Sequence, residues 1–317
     1  MMIAKFSEVF ARKGNAKREA LALVKKNFPD AEFLGSYALV DSVDRHTPGV
    51  AEFGDAFVSE PTIEGIKGAA LKCTDGVKKF WLDVERKGNH RFTSIDVAKQ
   101  VGKFLEKNDR DATMLGTIVK VIVRQETAVT FIPTKGSGGL PMGLFGKAIF
   151  LWEPGYKSEL ALLKLACRGY SPLVICPKGK TPCCGAPIFY QAVTELTGHA
   201  LKGLKGPLTK AFLYRLGGIV SKRTGVKLLA SGEVLGSRVS EDPILLKRIE
   251  SFTGVRPERP IGFYSMHQAR EEASKMGFST EERQQEWRRF KEQDLEQEWL
   301  SLEMEKILDS TTESISF

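Results

Sequence analysis

The residues with the clearest chemical potential lie between Glu153 and Ser158, directly after a short apolar run at Ala148–Trp152. Such a run is typical of a strand covered on both faces, and the apolar spacing from Ser158 to Gly169 predicts a helix after it. The amides at a helix start favour an anion, so this turn is a candidate phosphate site. Glu153 is negative and Pro154 lacks an N–H, so only the later residues of the turn can cradle the anion.

The cysteines form a second group with reactive side chains: Cys73, Cys167, Cys176, Cys183 and Cys184. Because the set is odd in number and irregular in spacing, it predicts free thiols and no extracellular disulfide framework. Six residues separate Cys176 from the Cys183–Cys184 pair. Zinc sites usually show paired Cys-x2-Cys units and a fourth ligand, so we predict no metal and interpret these residues as buried or loop thiols.

A third group is the basic loop formed by Arg86, Lys87 and Arg91. Alternating apolar residues predict a strand at Lys79–Glu85 before the loop, and a helix at Ile95–Leu105, capped by Thr93 or Ser94, follows it. The three basic side chains can pair with phosphates where a helix N-terminus adds its own positive potential. The alternative is a solvent-exposed turn whose charges serve solubility.

Composition sets the broad class. The chain has 317 residues, 42% hydrophobic and 27% charged, which is ordinary for a globular protein of two or three domains. The net charge of +8 favours a polyanion partner such as RNA. No apolar run approaches the roughly 18 to 20 residues of a membrane span, and the first residues lack the features of a signal peptide. We therefore expect a cytoplasmic protein without membrane contact.

Periodicity and turn residues predict the remaining elements. Glycines and a proline at Gly136–Gly143 predict a hinge between two halves of the chain. The other predicted elements are strands at Ile3–Phe6, Ala38–Val43, Ala56–Val58, Ile118–Arg124, Ala128–Ile132, Leu173–Cys176 and Val226–Leu229, and helices at Asn15–Asn27, Thr209–Thr224 and Met266–Met276.

The last segment, Thr280–Leu308, is predicted to form one charged helix with a partial apolar stripe, which includes Trp287, Phe290, Leu295 and Trp299. We expect this tail to pack against its own chain, because exposed tryptophans are unusual in a free tail. A protein partner or a second subunit, giving a homodimer, is the alternative.

Several segments together resemble the tRNA 4-thiouridine synthetase (tRNA sulfurtransferase) family. They are the opening FSEVFARKGNAKRE at Phe6–Glu19, the hinge and strand GSGGLPMG and GKAIFLW within Gly136–Trp152, SGEVLG at Ser231–Gly236 and RPIG at Arg259–Gly262. The resemblance implies a multidomain α/β protein. Its parts would be a ferredoxin-like α+β domain at 1–60, a THUMP domain at 61–135, a parallel-sheet PP-loop domain (adenine nucleotide α-hydrolase-like) at 136–279, and a helical tail at 280–317.

The resemblance also implies site residues. The nucleotide would be bound by Gly155, Lys157, Ser158, Gly232 and Glu233. The acceptor end of tRNA would be bound by Arg86, Lys87 and Arg91, by Lys17 and Arg18, and by Lys210 and Arg215. For the last two, the alternatives are an exposed lysine and a structural salt-bridge arginine.

Two departures from the family bear on activity. Where the family's turn reads Ser-Gly-Gly-x-Asp-Ser, this chain has Glu153 at the start and Lys157 in place of the aspartate, and no cysteine follows Cys184. We therefore predict a tRNA-binding protein with a degenerate, inactive ATP-pyrophosphatase site and no cofactor. One alternative is an active sulfurtransferase that uses ATP and Mg²⁺, with Cys183 or Cys184 carrying sulfur. A weaker one is an RNA-binding adaptor that recruits a partner through its tail.

Overall fold

The computed structural model of the chain describes residues 1–190, 205–236, 242–281, 291–313 and 315. The chain divides into two compact units, Met1–Leu140 and Pro141–Phe317. The boundary between them falls inside the predicted hinge at Gly136–Gly143. The finer division into four domains stays a prediction. Among the described residues, no helix combines the length and apolarity that crossing a membrane requires.

The first unit, Met1–Leu140, contains short strands and four helices. The strands are β1 Met2–Lys5, β2 Glu32–Leu34, β3 Tyr37–Val40, β4 Glu52–Asp55, β5 Phe57–Ser59, β6 Lys79–Arg86, β7 Asp111–Ala112, β8 Thr117–Val123, β9 Ala128–Phe131 and β10 Thr134–Lys135. The helices are α1 Ser7–Ala11, α2 Gly14–Asn27, α3 Ile63–Cys73 and α4 Ser94–Glu106.

These strands form two sheets, and each sheet takes one strand from the other side of residue 60, the predicted boundary between the first two domains. The first sheet is antiparallel, in the order β10-β4-β1-β3-β2, and the second has the order β5-β9-β8-β6-β7. The strand predicted at Ala56–Val58 is β5, which pairs with β9 in the second sheet, while β10 returns to β4 in the first. Strands β8 and β9, predicted at Ile118–Arg124 and Ala128–Ile132, are antiparallel neighbours.

One core joins the two sheets of the first unit. Ile3 and Tyr37 of the first sheet are buried together with Ile122, Val129 and Phe131 of the second. The rings of Tyr37 and Phe131 meet edge to face, with centroids 6.0 Å apart. The covered face of the first sheet is therefore completed by residues from the second.

The second unit contains a parallel sheet with helices on both faces. Its strands are β11 Lys147–Leu151, β12 Ser171–Pro177, β13 Ala186–Tyr190 and β14 Leu229–Ser231, in the order β13-β12-β11-β14. Its described helices are α5 Tyr156–Cys167, α6 Lys205–Thr224, α7 Pro243–Thr253, α8 Met266–Lys275, α9 Glu292–Ser301 and α10 Met304–Glu313. The strand predicted at Val226–Leu229 lies further on, at Leu229–Ser231.

Alternate residues of β11 serve the two faces of this sheet. Ile149 and Leu151 are buried with α6, α7 and the tail, whereas Ala148 and Phe150 are buried with α5 and α8. Alternate side chains of a strand point to opposite faces, so an unbroken apolar run is what a strand covered on both sides needs. The predicted strand-turn-helix opening of this unit is present.

The tail prediction was wrong in one respect, because the described part forms two helices and not one. The chain breaks between α9 and α10 at Leu302 and Glu303, where Glu303 has the left-handed φ of 48°. Residues 282–290, including Trp287 and Phe290, lie outside the described residues. In the described part, Leu295, Trp299 and other apolar residues are buried against α6 and α7. This part of the tail therefore packs on its own unit.

Trp299→Ala tests this packing. The indole of Trp299 is 2% exposed, lies edge to face with Phe252 at 5.4 Å and donates from Nε1 to Glu305 Oε1 at 3.1 Å. We expect the substitution to lower the free energy of unfolding by about 3–5 kcal/mol, measured by urea titration. Leu300→Ala, on the exposed side of the same helix, should change it little. Conversion of a dimer to a monomer at unchanged stability would instead mark an interface.

Candidate functional site

The candidate anion turn lies between the end of β11 and the start of α5. Gly155 is the N-cap of α5 and has a φ of 138°, a conformation that side-chain-bearing residues rarely adopt. Within the turn, the Glu153 N–H donates to Ser158 Oγ at 3.2 Å. Ser158 is buried, and Lys157 beside it is half-buried.

The loop after β14 closes on this turn. A Cβ at Gly232 would lie 2.7 Å from Ser158 Cα, so only glycine allows the close approach. The neighbouring residue, Glu233, is 3% exposed. The structure thus brings Gly232 against Ser158, with Gly155 on the same turn as Ser158 and Glu233 next to Gly232. The resemblance implied that these four residues bind a nucleotide, which stays a prediction.

A buried lysine from α6 occupies the space between the turn and the loop. Lys210 is 3% exposed, and its Nζ lies 2.6 Å from Glu153 Oε2 and 2.7 Å from Glu233 Oε1. The alternative of an exposed lysine at this position is therefore wrong. The two carboxylates offset the positive charge of Lys210, which leaves no net attraction for a phosphate at this point.

The Lys210–Glu233 pair extends into a cluster of Glu153, Lys210, Glu233, Glu250 and Arg259, which we call the buried charge cluster because all its members except Glu153 are largely buried. Glu233 accepts hydrogen bonds from the Tyr214 hydroxyl at 3.0 Å and from Ser231 Oγ, and Arg259 Nε lies 3.4 Å from Glu233 Oε2. Arg259 Nη2 reaches Glu250 Oε1 at 2.5 Å. Every charged group of the cluster has a partner, as buried charges require.

The cluster fixes the protonation of its members. Burial alone raises the pKa of Glu233, but the nearby charges of Lys210 and Arg259 outweigh it and lower the pKa to about 2. Burial alone lowers the pKa of Lys210, but Glu153 and Glu233 raise it well above its usual value. Both groups are therefore charged at neutral pH.

This depressed pKa predicts a pH dependence of stability. The carboxyl of Glu233 has an ordinary pKa of 4.5 and a folded pKa of about 2, so its contribution is complete above pH 4.5 and is lost as the pH falls towards 2. We expect the free energy of unfolding, measured by urea titration at a series of pH values, to fall more steeply over this range in the native protein than in Glu233→Gln. Parallel curves would show that Glu233 does not carry this dependence.

The paired cysteines lie beside the same turn. The Cys183 N–H donates to Glu159 Oε2 at 3.0 Å, and the two Sγ atoms of Cys183 and Cys184 are 3.8 Å apart. The hydrogen bond to Cys184 and burial both raise the pKa of Cys183 well above that of an ordinary thiol. A sulfur carrier acts as a thiolate, so this environment disfavours Cys183 in that role. In the described ranges, no group of three or more His, Cys, Asp or Glu side chains is arranged to hold a metal ion.

The basic loop is a separate candidate, in the first unit. Arg86 donates to the Gly88 carbonyl at 3.0 Å, the Lys87 side chain is 68% exposed, and Arg91 is exposed. The loop after β6 thus presents positive charge to solvent, as the sequence predicted. Its contact with RNA stays a prediction.

The N-terminus of α4, the helix after this loop, is already capped by side chains of the chain itself. Thr93 caps α4, and its N–H and hydroxyl donate to Asp96 Oδ2 at 2.8 and 2.7 Å. The hydrogen bond from the Thr93 backbone, followed by that from its side chain, lowers the pKa of Asp96. An ionised carboxylate is therefore already present at the helix start, and it offsets the positive potential that we expected there.

The other predicted RNA contacts lie in different surroundings. On α2, Lys17 lies over the ring of Phe10 at 5.0 Å, and Arg18 is exposed and donates to Asn15 at 2.6 Å. Arg215 lies between the rings of Phe252 and Trp299, 4.9 Å from each centroid, and it pairs with Glu305 of the tail. Arg215 thus takes part in packing the tail, as its structural alternative proposed.

The fold and site together define a multidomain α/β protein with a parallel sheet after a two-sheet unit. No protein-family model matches the chain. The solved structure of a 4-thiouridine synthetase, in complex with RNA and with bound ATP, is similar over 99% of this chain and 98% of that chain, with a TM-score of 0.64 and 16% identity. A protein from Pyrococcus horikoshii is similar over 87% of this chain and 99% of that chain, with a TM-score of 0.55 and 15% identity. These likenesses confirm the predicted fold class.

Sequence similarity covers a smaller part of the chain. It is 34% identical over 95 residues to a tRNA sulfurtransferase of Desulfurococcus amylolyticus, which is 29% of this chain and 20% of that protein. It is 30% identical over 131 residues to a probable tRNA sulfurtransferase of Sulfurisphaera tokodaii, which is 39% of this chain and 35% of that protein. The chain thus spans about a fifth to a third of these relatives. The resemblance to the tRNA 4-thiouridine synthetase family is confirmed.

Proposed function

We propose that this protein binds tRNA through its first unit and works in the cytoplasm. The observation that carries the proposal is the basic loop after β6, where Lys87 and Arg91 are exposed and Arg86 is half-buried, on a fold whose solved counterpart is bound to RNA. Lys17 and Arg18 on α2 supply further positive charge in the same unit. Arginine and lysine pair with phosphate oxygens, so they give affinity without reading sequence.

We propose further that the second unit does not hydrolyse ATP. The buried charge cluster supports this. The Lys210 ammonium is already paired with Glu153 and Glu233 at the edge of the parallel sheet where a nucleotide would be held. A phosphate entering here would meet the negative charge of Glu153, whose side chain is 37% exposed. Lys157 stands where a carboxylate would be needed to organise Mg²⁺.

An active tRNA sulfurtransferase is the second candidate. Its support is the tRNA sulfurtransferase activity named for the relatives and the close approach of Gly232 to Ser158 in the turn. It would use Lys157 and Ser158 for ATP, and Cys183 or Cys184 for sulfur. One experiment separates the candidates: tRNA binding and 4-thiouridine formation, measured on the same purified protein with ATP, Mg²⁺ and a sulfur donor. Binding without product supports our proposal, and product formation overturns it.

Calorimetry with ATP gives a direct test of the second unit. We expect a dissociation constant above about 1 mM, because the turn offers few amides and Lys210 of α6 is already paired with Glu153 and Glu233. The same protein sample should still bind tRNA, which controls for its folding. A sub-micromolar affinity that is lost in Lys157→Ala would show that the turn has been rebuilt as a nucleotide site.

A further inference from the structure

Cys183 and Cys184 form a vicinal dithiol in the loop between β12 and β13. Both residues are half-buried, and their Sγ atoms are 3.8 Å apart. The Cys183 thiol lies 3.6 Å from the Glu159 carbonyl oxygen and also faces Cys184 as a donor. The two sulfurs are therefore close enough to bond once both side chains and the backbone between them rotate.

We propose that this dithiol is a reversible redox site that closes to a disulfide by exchange with a small-molecule disulfide, independently of the proposed tRNA binding. In the first step, the Cys184 thiolate attacks one sulfur of the small disulfide and displaces one thiolate. In the second, Cys183 loses its proton and attacks Cys184 Sγ, which displaces the other thiolate. The two leaving thiolates take up the two cysteine protons, so two cysteines are oxidised and one disulfide is reduced to two thiols.

The geometry assigns different roles to the two cysteines. Cys183 Sγ lies 3.6 Å from the Glu159 carbonyl oxygen and 3.8 Å from Cys184 Sγ, and its single S–H can donate to only one of them at a time. The thiolate is the attacking form, and the surroundings of Cys183 keep its thiol protonated, so we assign the first attack to Cys184 and the resolution of the mixed disulfide to Cys183. Burial and its hydrogen bonds keep Cys183 protonated until that step.

Neighbouring cysteines make a labile bond and not a permanent one. Consecutive Cα atoms are about 3.8 Å apart, whereas disulfides usually span at least about 4.4 Å. The resulting strain makes the bond easy to reduce, which is the behaviour of regulatory and not structural disulfides. The fraction of protein with this disulfide would therefore follow the ratio of disulfide to thiol in its surroundings.

A single carboxylate connects the dithiol to the candidate turn. Glu159 accepts from the Cys183 N–H through Oε2 and from Trp152 Nε1 through Oε1, both at 3.0 Å. Closing the disulfide must rotate the backbone at Cys183, which changes this donor to Glu159. We therefore expect oxidation to alter the segment from Trp152 to Glu159.

The test equilibrates the full chain with graded ratios of oxidised and reduced glutathione, then alkylates free thiols and weighs the proteolytic peptides. After oxidation we expect the peptide with Cys183 and Cys184 to carry no alkyl group and to weigh two hydrogen atoms less than the unalkylated dithiol, and treatment with dithiothreitol before alkylation to restore two alkyl groups. Cys167, a half-buried cysteine at the end of α5, is the matched control and should not close a disulfide. Two thiols alkylated at every ratio, or a mixed disulfide on Cys184 that never resolves, would overturn the proposal.

Two variants test the assigned roles. Cys183→Ser should accumulate a stable glutathione adduct on Cys184, whereas Cys184→Ser should react little. The reverse pattern would contradict the assignment. Hydrogen exchange of residues 152–159 provides a second readout, and we expect it to differ between the oxidised and reduced wild-type protein. Identical exchange would remove the connection through Glu159.

Discussion

Lys210→Met is expected to lower the free energy of unfolding by about 3–5 kcal/mol, the usual cost of removing one partner of a buried ion pair. The variant leaves Glu153 and Glu233 facing each other without their shared cation. Glu233 is 3% exposed, so water cannot replace the lost ammonium. Urea titration at neutral pH would measure the loss.

The control for this prediction is Lys275→Met, on α8 of the same unit. Lys275 pairs with Glu271 at the surface, with 60% of its side chain exposed, and its removal should change stability little. Adding Glu233→Gln to Lys210→Met removes one of the two carboxylate charges left without Lys210 and should restore part of the loss. If Lys210→Met lowered the free energy of unfolding by less than about 1 kcal/mol, the buried pair would stabilise the fold no more than a surface ion pair does, which would contradict the prediction.

Arg86→Glu combined with Arg91→Glu is expected to weaken tRNA binding by more than about tenfold and to reduce the slope of log affinity against log salt by about 2. Each arginine that contacts a phosphate releases about one counterion, so the slope reports how many contacts are lost. Filter binding at several salt concentrations would measure both quantities.

Lys103→Glu combined with Lys107→Glu is the matched control. Both lysines are exposed at the opposite end of α4 from the basic loop, so the double variant changes the net charge equally. A general electrostatic attraction would be weakened as much by these changes as by those in the loop. Equal effects would thus remove the loop from the proposed RNA site.

Local signals predicted β11, β12 and, displaced along the chain, β14, but they missed β13 and the contacts between distant residues. The strand at Lys147–Leu151 and the helix after it follow from an apolar run and a helical repeat. The ion pairs of Lys210 join positions 57 and 23 residues away in the chain, and no periodic pattern reports such a distance. Lys210 could therefore be placed on α6, but its partners could not be predicted.

Two other differences between prediction and structure have separate causes. Helix α7 was missed although Asp242 caps it, Pro243 occupies its first turn and Gly254 ends it, which are strong helix signals. The break in the tail had no such signal, because Glu303 adopts a left-handed conformation without glycine or proline nearby. The first could have been found from the residues alone, and the second depends on packing against α6 and α7.

The shared core of the first unit has a consequence for synthesis on the ribosome. Ile3 and Tyr37 emerge early, but their covering partners Ile122, Val129 and Phe131 leave the exit tunnel only after most of the unit has been made. The nascent first sheet therefore carries an uncovered apolar face throughout that interval, which makes it a target for chaperones. Slow codons placed before residue 131 would be expected to prolong this exposure and lower the yield of folded protein.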